Sequence, residues 1–536
     1  MFNIYALALL GAFALYFWPA LRRNLHLLQL SGYYAERFLT ALKADDRKEA
    51  SFLMVGLIVA NLGLRTMFSL PLFLLLHAGV FLILGLRVKK RPEKKPLVFT
   101  WRIKRLLTAI LLLCVAAIIG LALLFPRTYW WELPFLLGFL YLMLPAVAVV
   151  ANLLSQPLEK RIAAGFIADG KKRLARHPGL LVIGVTGSFG KTSVKFLLSQ
   201  LLSEDYQVLM TPESYNTPMG VVRTIRERLR ATHQVFVVEM GARKPGDIRE
   251  LCEIVKPGWG VITAVGDMHL ETFGSLARVG ETKFELAAAV GQDGVMFLNW
   301  DNDYIRGQKL TQPTVRYGLG GGGGRGEDLD VRAVKVVSGP EGSAFDLRLP
   351  GGETIACQTR LLGRHNVLNI TAAAAVAARL GMAPERLAQA IGRLTPVPHR
   401  LQLLPGGDKY RIIDDAYNAN PEGARHALET LGGFEGYKVL ITPGMVELGE
   451  QEEELNRRLG RQAAKYCDFI IVVGRSRSFP ILDGARRAGF DEDALYTAAD
   501  IQAALAKADQ LAAELEPEEG PMYVLLENDL PDNYSG

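Results

Sequence analysis

Five apolar stretches, at 4–20, 52–64, 67–86, 106–125 and 133–154, occupy the chain before residue 155. Three of them approach the roughly 20 residues that a helix needs to cross a bilayer, and the second is short. The first has no basic residue before it and no small-residue cleavage site after it, so it reads as a retained anchor and not as a signal peptide. Charge placement sets the orientation. Arg22, Arg23, Arg37, Lys43, Arg47 and Lys48 crowd the first loop, and Arg87, Lys89, Lys90, Arg91, Lys94, Lys95, Arg102, Lys104 and Arg105 crowd the third. Both loops are expected in the cytoplasm. The intervening turns carry only Arg65 and Arg127, with Tyr129, Trp130 and Trp131 at the outer headgroup level. The expectation is a multi-pass region over 1–154 in the plasma membrane, about five helices with the N-terminus outside, leaving the rest in the cytoplasm. A buried helical core in a soluble protein is the alternative, and the loop-charge asymmetry argues against it.

The 536 residues suffice for about three domains, and half are hydrophobic. The net charge of +6 lies largely in the two basic loops, so membrane lipids, and no nucleic acid, are its partner. Cys114, Cys252, Cys357 and Cys467 show no metal or disulfide spacing and read as buried fillers in a reducing compartment.

At 185–194 the sequence VTGSFGKTSV follows an apolar run and precedes a helical pattern. That is the setting of a phosphate-binding loop. Thr186, Gly187, Ser188, Gly190, Lys191, Thr192 and Ser193 are its residues. Backbone N–H groups wrap the phosphates, Lys191 reaches the β/γ oxygens and the Thr192 hydroxyl ligates Mg²⁺. Val185 stands where the longer loop form has its first glycine. The nucleotide is ATP or GTP.

From residue 180 short apolar runs alternate with helical patterns, which argues for a parallel sheet flanked by helices. Residues 156–176 read as a linker helix or a membrane-surface helix. The glycine run at 318–326 reads as a loop, and 331–337, 344–349 and 354–359 as a small antiparallel insert. A second α/β set starts near 396 after a hinge at TPVPH, 395–399, with strands at 411–414, 439–442, 469–473 and 523–526. The expected boundaries are 1–154 for the membrane region, 155–178 for the linker helix, 179–395 for the ATP-binding central domain and 396–536 for the C-terminal domain.

Further motifs arrive in one order: SYNTPMG at 214–220, VVEMGA at 237–242, DMHLETFGS at 267–275, ETKFE at 281–285, LNWDND at 298–303, GRHNVLN at 363–369, PHR at 398–400, DDAYNANP at 414–421 and GMVELG at 444–449. Over residues 179–536 the chain resembles the Mur ligases, most closely their UDP-N-acetylmuramoyl-tripeptide:D-alanyl-D-alanine ligase branch. The resemblance implies a P-loop central domain, whose parallel sheet carries a small β insert, and a Rossmann-like α/β C-terminal domain. It implies an ATP-dependent amide ligase of peptidoglycan precursor synthesis that works through an acyl phosphate.

Such a reaction brings two anionic groups together, so magnesium and basic side chains should dominate the site. Glu239 ends an apolar strand at the carboxyl edge of the sheet, where open α/β folds keep ligands. The resemblance implies Mg²⁺ held by Thr192, Glu239, His269 and Lys283, the lysine carbamylated by CO₂. By themselves Lys283 and His269 read as a surface lysine and a loop histidine. It further implies Asn216 at the acyl-phosphate site, His365 and Asn366 bracing the nucleotide pocket, Asn369 at the adenine, Arg400 at the γ-phosphate and Asp415 at the ribose. Thr217 and Pro218 depart from the common N-N-x-x-G form. Tyr417, Asn418, Asn420 and Glu447 would surround the amine substrate, and Asn456 stands where many members carry a histidine.

Two other classes compete. One is a transporter with a nucleotide-hydrolysing domain, which the near absence of acidic residues and interior histidines in the apolar stretches disfavours. The other is a nucleotide-binding scaffold. Because the chain passes from apolar helices to the phosphate loop within about thirty residues, the uridine-nucleotide-gripping domain of soluble relatives has no room between them. A lipid-linked carboxylate substrate is therefore expected, with soluble UDP-N-acetylmuramoyl peptide second, since an anchor concentrates membrane-attached substrates. Tethering to a membrane-bound cell-wall synthesis assembly is the plain alternative.

Overall fold

The computed structural model describes residues 2–43, 66–87, 96–126, 128–266, 268, 270–319, 328–404, 410–417, 419–446, 448–474, 478–516 and 520–528. The chain forms two compact units, one over Met1–Ala163 and one over Ala164–Leu530.

The first unit is helical: α1 Phe2–Leu30, α2 Ala35–Lys43, α3 Leu70–Leu86, α4 Trp101–Leu124, α5 Tyr129–Leu142 and α6 Leu144–Ala175, the last crossing into the second unit. Helices α1 and α3 pack in parallel. The Phe13 and Phe81 rings lie 5.2 Å apart, and Gly85 lets α3 rest on the backbone of Tyr16. Trp131 near the start of α5 meets Phe73 at 5.0 Å, and Tyr141 at its end stacks on Tyr16 at 4.4 Å. At the other end Gln29 exchanges two hydrogen bonds with the backbone of Val98, Asn152 donates to the Tyr33 carbonyl, and Arg105 forms a bidentate ion pair with Glu159 at 2.6 and 2.8 Å. Arg102 lies over the Tyr33 ring and Lys104 over Trp101 at this same end.

By length and composition α1 and α4 are each able to cross a membrane. Only 11% of the apolar window of α4 is buried, with Leu111, Leu112, Val115, Ile119 and Leu123 exposed. An apolar surface of that extent is disfavoured in water and suits hydrocarbon. The stretch read at 133–154 is not one straight helix. It bends by 70° between α5 and α6. Pro145, which lacks an N–H and disfavours α geometry in the residue before it, explains the break. The short stretch at 52–64 and much of both basic loops lie outside the described residues. Two histidines of these helices are buried: His26 on α1, and His77, 1% exposed, its Nδ1 2.8 Å from the Phe73 carbonyl.

The second unit holds two sheets. The first begins with β1 Leu181–Thr186, β2 Val208–Met210, β3 Val235–Glu239, β4 Trp259–Ile262, β5 Val295–Asn299 and β6 Thr314–Gly318, and continues through β7 Val331–Gly339, β8 Gly342–Arg348 and β9 Thr354–Thr359. The order is β2-β3-β1-β4-β5-β6-β7-β8-β9, parallel as far as β7 and antiparallel beyond. The expected insert is thus hydrogen-bonded onto the main sheet through β6 and β7. Side chains alternate across β1. Ile183 and Val185 pack with Leu197, Leu198 and the alanine-rich helix Arg364–Arg379, whereas Val182 joins Phe236, Ile248 and Leu286 on the opposite face. Both faces are covered, as parallel strands require.

The second sheet runs β10-β11-β15-β12-β13-β14, with β10 Gln402–Leu404, β11 Arg411–Asp415, β12 Tyr437–Thr442, β13 Phe469–Val473, β14 Leu495–Ala498 and β15 Met522–Glu527. Only β10 is antiparallel. The short edge strands β10 and β14 escape a hydropathy reading because three or four residues are too few to show a period. The expected boundary at residue 154 falls inside α6, which stays helical because charged and small residues replace the apolar run without a breaker. Phe166 and Ile167 of α6 pack on the core of the second unit.

Candidate active site

Strand β1 delivers the chain to a tight loop and then to α7, Lys191–Leu202. Gly187 sits at φ +153°, and a Cβ there would collide with Thr263 Oγ1; Gly190 sits at φ +80°, with Asn369 Oδ1 2.8 Å from its would-be Cβ. Only glycine fits either position. Lys191 curls back so that Nζ donates to the carbonyls of Gly187 at 2.6 Å and Ser188 at 3.0 Å. Burial pushes its ammonium down to about 8, a shift that Glu239 opposes and Arg400 reinforces. The Thr186 hydroxyl donates to the Met240 carbonyl and Ser188 Oγ bonds the backbone of Gly266, so these two hydroxyls brace the loop. Ser193 is buried in the first turn of α7.

Glu239, at the end of β3 and 1% exposed, gathers the site. Its Oε1 accepts from Thr192 Oγ1 and Asn216 Nδ2, each at 3.1 Å, and Oε2 faces Lys195 Nζ at 3.1 Å. Lys195 is fully buried, and the sequence reading missed it. Lys283, on the helix Leu276–Ala289, is 3% exposed and held well below the usual lysine range by burial and then by Lys191. Lys191 and Lys195 therefore share the fields of Glu239 and Arg400, and Lys283 lies in the field of Lys191. Among the described residues no three His, Cys, Asp or Glu side chains come together as a metal cage, and His269 lies outside them. A hydroxyl and a carboxylate side by side are hard oxygen donors that fit Mg²⁺, which takes few protein ligands and fills the rest with phosphate and water.

Arg400 comes from the hinge. Its neighbours His399 (φ +58°) and Leu401 (φ +44°) both adopt left-handed backbone that non-glycine residues rarely take. Two aspartates hold them there: His399 Nδ1 lies 2.7 Å from Asp414 Oδ2, and the Leu401 N–H donates to Asp415 Oδ1 at 3.1 Å. Arg400 lies over the Tyr417 ring at 4.5 Å, and the Tyr417 hydroxyl meets Ser214 Oγ at 2.6 Å, joining the two sheets' loops.

Asp415 has one oxygen occupied by the hinge and is paired in register with Glu527 on β15. Burial raises both carboxyls, Glu527 strongly; Asp415 raises Glu527 further, whereas the hydrogen bond from Glu527 pulls Asp415 down. Next to it, Asn528 donates to the Gly444 carbonyl at 2.6 Å and accepts from the Ala419 N–H at 3.2 Å, tying the 414–421 loop to the 444–449 loop. Neither Glu527 nor Asn528 was singled out by sequence. Asn456 completes the bracket with bonds to both backbone groups of Met445.

Several expected ligand residues have structural duties. Asn420 caps the helix Pro421–Gly432 by accepting from the Gly423 N–H at 2.9 Å, which occupies its Oδ1. Asn366 donates to the Leu362 carbonyl, and Asn369 abuts Gly190 of the phosphate loop. Burial pushes His365 down to about 3, with His426 stacked against it at 5.8 Å. Thr217 and Pro218, which depart from the common motif, serve as cap and first turn of the helix Pro218–Arg228. Asn418 and Glu447 lie outside the described residues.

A phosphate loop, a carboxylate at the next strand end and a second α/β sheet bearing a hinge arginine define a nucleotide-dependent ligase architecture. Sequence profiles agree: that of the Mur ligase middle domain matches residues 185–377 and that of the Mur ligase, glutamate ligase domain matches 399–518. The UDP-N-acetylmuramoyl-tripeptide–D-alanyl-D-alanine ligase of Bacillus subtilis (strain 168) is 32% identical over 325 residues, 60% of this chain and 68% of that protein. Crystal structure I of MurF from Acinetobacter baumannii superposes with a TM-score of 0.61 at 28% identity, covering 69% of this chain and 78% of that one. The MurF ligase of Thermotoga maritima in complex with ADP gives 0.60 at 25% identity, covering 70% and 82%. The chain belongs to the Mur ligase family.

Proposed function

We propose that the chain is an ATP-dependent ligase of peptidoglycan precursor synthesis that adds D-alanyl-D-alanine, or a similar amine, to a muramoyl peptide. The observation that carries the reading is the phosphate-loop Lys191 in the fields of Glu239 and Arg400 and close enough to Lys283 to depress it, with Thr192 and Lys195 on Glu239 itself. Cations gathered at a phosphate loop suit ATP and a second anionic substrate held together. The substrate carboxylate attacks the γ-phosphorus and ADP leaves; the amine then attacks the acyl carbon, phosphate departs with the bonding pair, and the amine sheds a proton to solvent or a nearby base. Lys191 and Arg400 hold the transferring group, and Asn216 orients Glu239. Magnesium, when bound, neutralises phosphate charge; Thr192, Glu239, His269 and a carbamate on Lys283 would hold it. Tyr417 and the bracket of Asn528 and Asn456 order the amine-side loops. Nothing in the comparisons favours a transporter or a scaffold.

The test is release of ADP by the purified full-length chain. Turnover is expected only when both a muramoyl-peptide carboxylate and D-alanyl-D-alanine are present; ADP release at the same rate without either substrate would overturn the reading. The lipid-linked precursor is proposed as the better carboxylate substrate, because α6 ties the catalytic unit covalently to apolar helices. Equal kcat/KM for the soluble nucleotide precursor would remove that preference.

The first unit supports a multi-pass membrane location with the basic ends cytoplasmic. Parallel α1 and α3 both start on one face; α4 runs back, and α5 runs forward again. A cysteine placed at 128 is expected to react with an impermeant reagent on intact cells, and one at 99 only after permeabilisation. Labelling of 99 in intact cells would invert or abolish this topology.

A further inference from the structure

We propose that Lys195 is a positioning residue for the metal carboxylate, fixing which oxygen of Glu239 is offered and limiting how tightly a divalent ion is held. The proposal rests on the reading of Glu239 as a metal ligand. Lysine is almost never fully buried unless paired, and Lys195 is 0% exposed, one helical turn beyond Lys191. Its ammonium lies 3.1 Å from Glu239 Oε2, donates to the Glu213 carbonyl, and sits 4.5 Å from the Phe196 ring centre. Glu213 takes a left-handed φ of +42° immediately before Ser214, the partner of Tyr417.

Stability is a poor explanation for this pair. A buried ion pair returns little net stability over apolar side chains of the same volume. Its geometric effect is specific. Lys195 faces Oε2 as an ion pair, whereas Oε1 already accepts from Thr192 Oγ1 and Asn216 Nδ2, each at 3.1 Å, so a metal held by Thr192 and Glu239 together would take the place of the Thr192 bond on Oε1. Mg²⁺ demands near-octahedral geometry, so one carboxylate oxygen or two is a difference it registers. A unit positive charge next to a metal ligand also opposes a second cation. Lys195 thus gives up metal affinity for a one-oxygen geometry, and its bond to Glu213 passes that geometry to the loop contacted by Tyr417.

The test uses the full-length chain with Mn²⁺ as the probe in the presence of ADP. Lys195→Met is expected to bind Mn²⁺ about fivefold more tightly, because a repelling charge is gone. Its kcat is expected to fall by about 10²-fold, because the carboxylate is free to turn. A merely structural lysine would lower metal affinity and kcat together, and that result overturns the proposal, as does an unchanged kcat. Lys195→Gln, which keeps a donor for Glu213, answers the same question if the methionine variant does not fold. Glu239→Gln separates the two readings: if it leaves Mn²⁺ affinity unchanged, the metal assignment and this proposal both fall. If it weakens Mn²⁺ while Lys195→Met fails to tighten it, this proposal alone falls.

Discussion

Replacing Lys191 by alanine is expected to lower kcat at saturating ATP by about 10³-fold, with the melting temperature unchanged or slightly raised. The rate loss follows from position. The ammonium rests on the carbonyls of Gly187 and Ser188 at the mouth of α7, where an incoming phosphate competes for it, and no other cation is built into the loop. The stability effect has the opposite sign because burial disfavours the charged form, which is why its pKa is lowered to about 8. Removing a group that the fold holds charged against its solvation does not weaken the fold. A corollary concerns pH. ATP affinity of the free chain should fall as pH rises through about 8, since the cation is lost there. Steady-state ADP release and a thermal melt check both parts; a variant with more than a tenth of normal kcat would remove Lys191 from the phosphate site.

The phosphate loop was legible because strand, glycine turn and helix are contiguous, and each leaves its own local pattern. Glu239 was legible for a related reason: an apolar strand ending in a carboxylate marks the ligand edge of a parallel sheet. The same sign stood at RIIDD and at MYVLLE, yet Glu527 was passed over because no resemblance pointed to it. Lys195 was also within reach. It lies four residues after Lys191 on an otherwise apolar helix face, a like-charge spacing that is unfavourable unless something opposite neutralises it. The prolines of TPVPH marked the hinge, but not its backbone conformation. Left-handed backbone at His399 and Leu401 exists only because Asp414 and Asp415, on the strand β11 that follows, hold it in place, and that depends on the antiparallel pairing of β10 with β11. Asn420 carries a duty that its motif did not suggest: Asn before Pro at a helix start is a cap by local chemistry alone.

Lys283→Ala is expected to lose product formation by about 10³-fold, and to regain part of it in a small carboxylate such as acetate or propionate. The lysine is 3% exposed on a helix that faces Lys191, with no carboxylate in ion-pair contact among the described residues. A cation placed so is costly, and the proposed carbamylation by CO₂ would remove the problem: the neutral amine would take CO₂, release a proton, and become an anion in the field of Lys191. The exchange would turn a repulsive group into an oxygen donor for the metal. Alanine removes both states, and an added carboxylate restores the oxygens without the tether, so recovery should be partial and should saturate with its concentration. Lys283→Arg, which keeps a charge and cannot form the carbamate, is expected to be as inactive as alanine and not rescued. With ¹³C-bicarbonate, a carbamate carbon resonance present in the parent and absent from Lys283→Ala gives a readout independent of turnover. Full activity in the alanine variant, or a folded inactive variant that no carboxylate rescues and a parent without the carbamate signal, would leave Lys283 as a buried structural lysine.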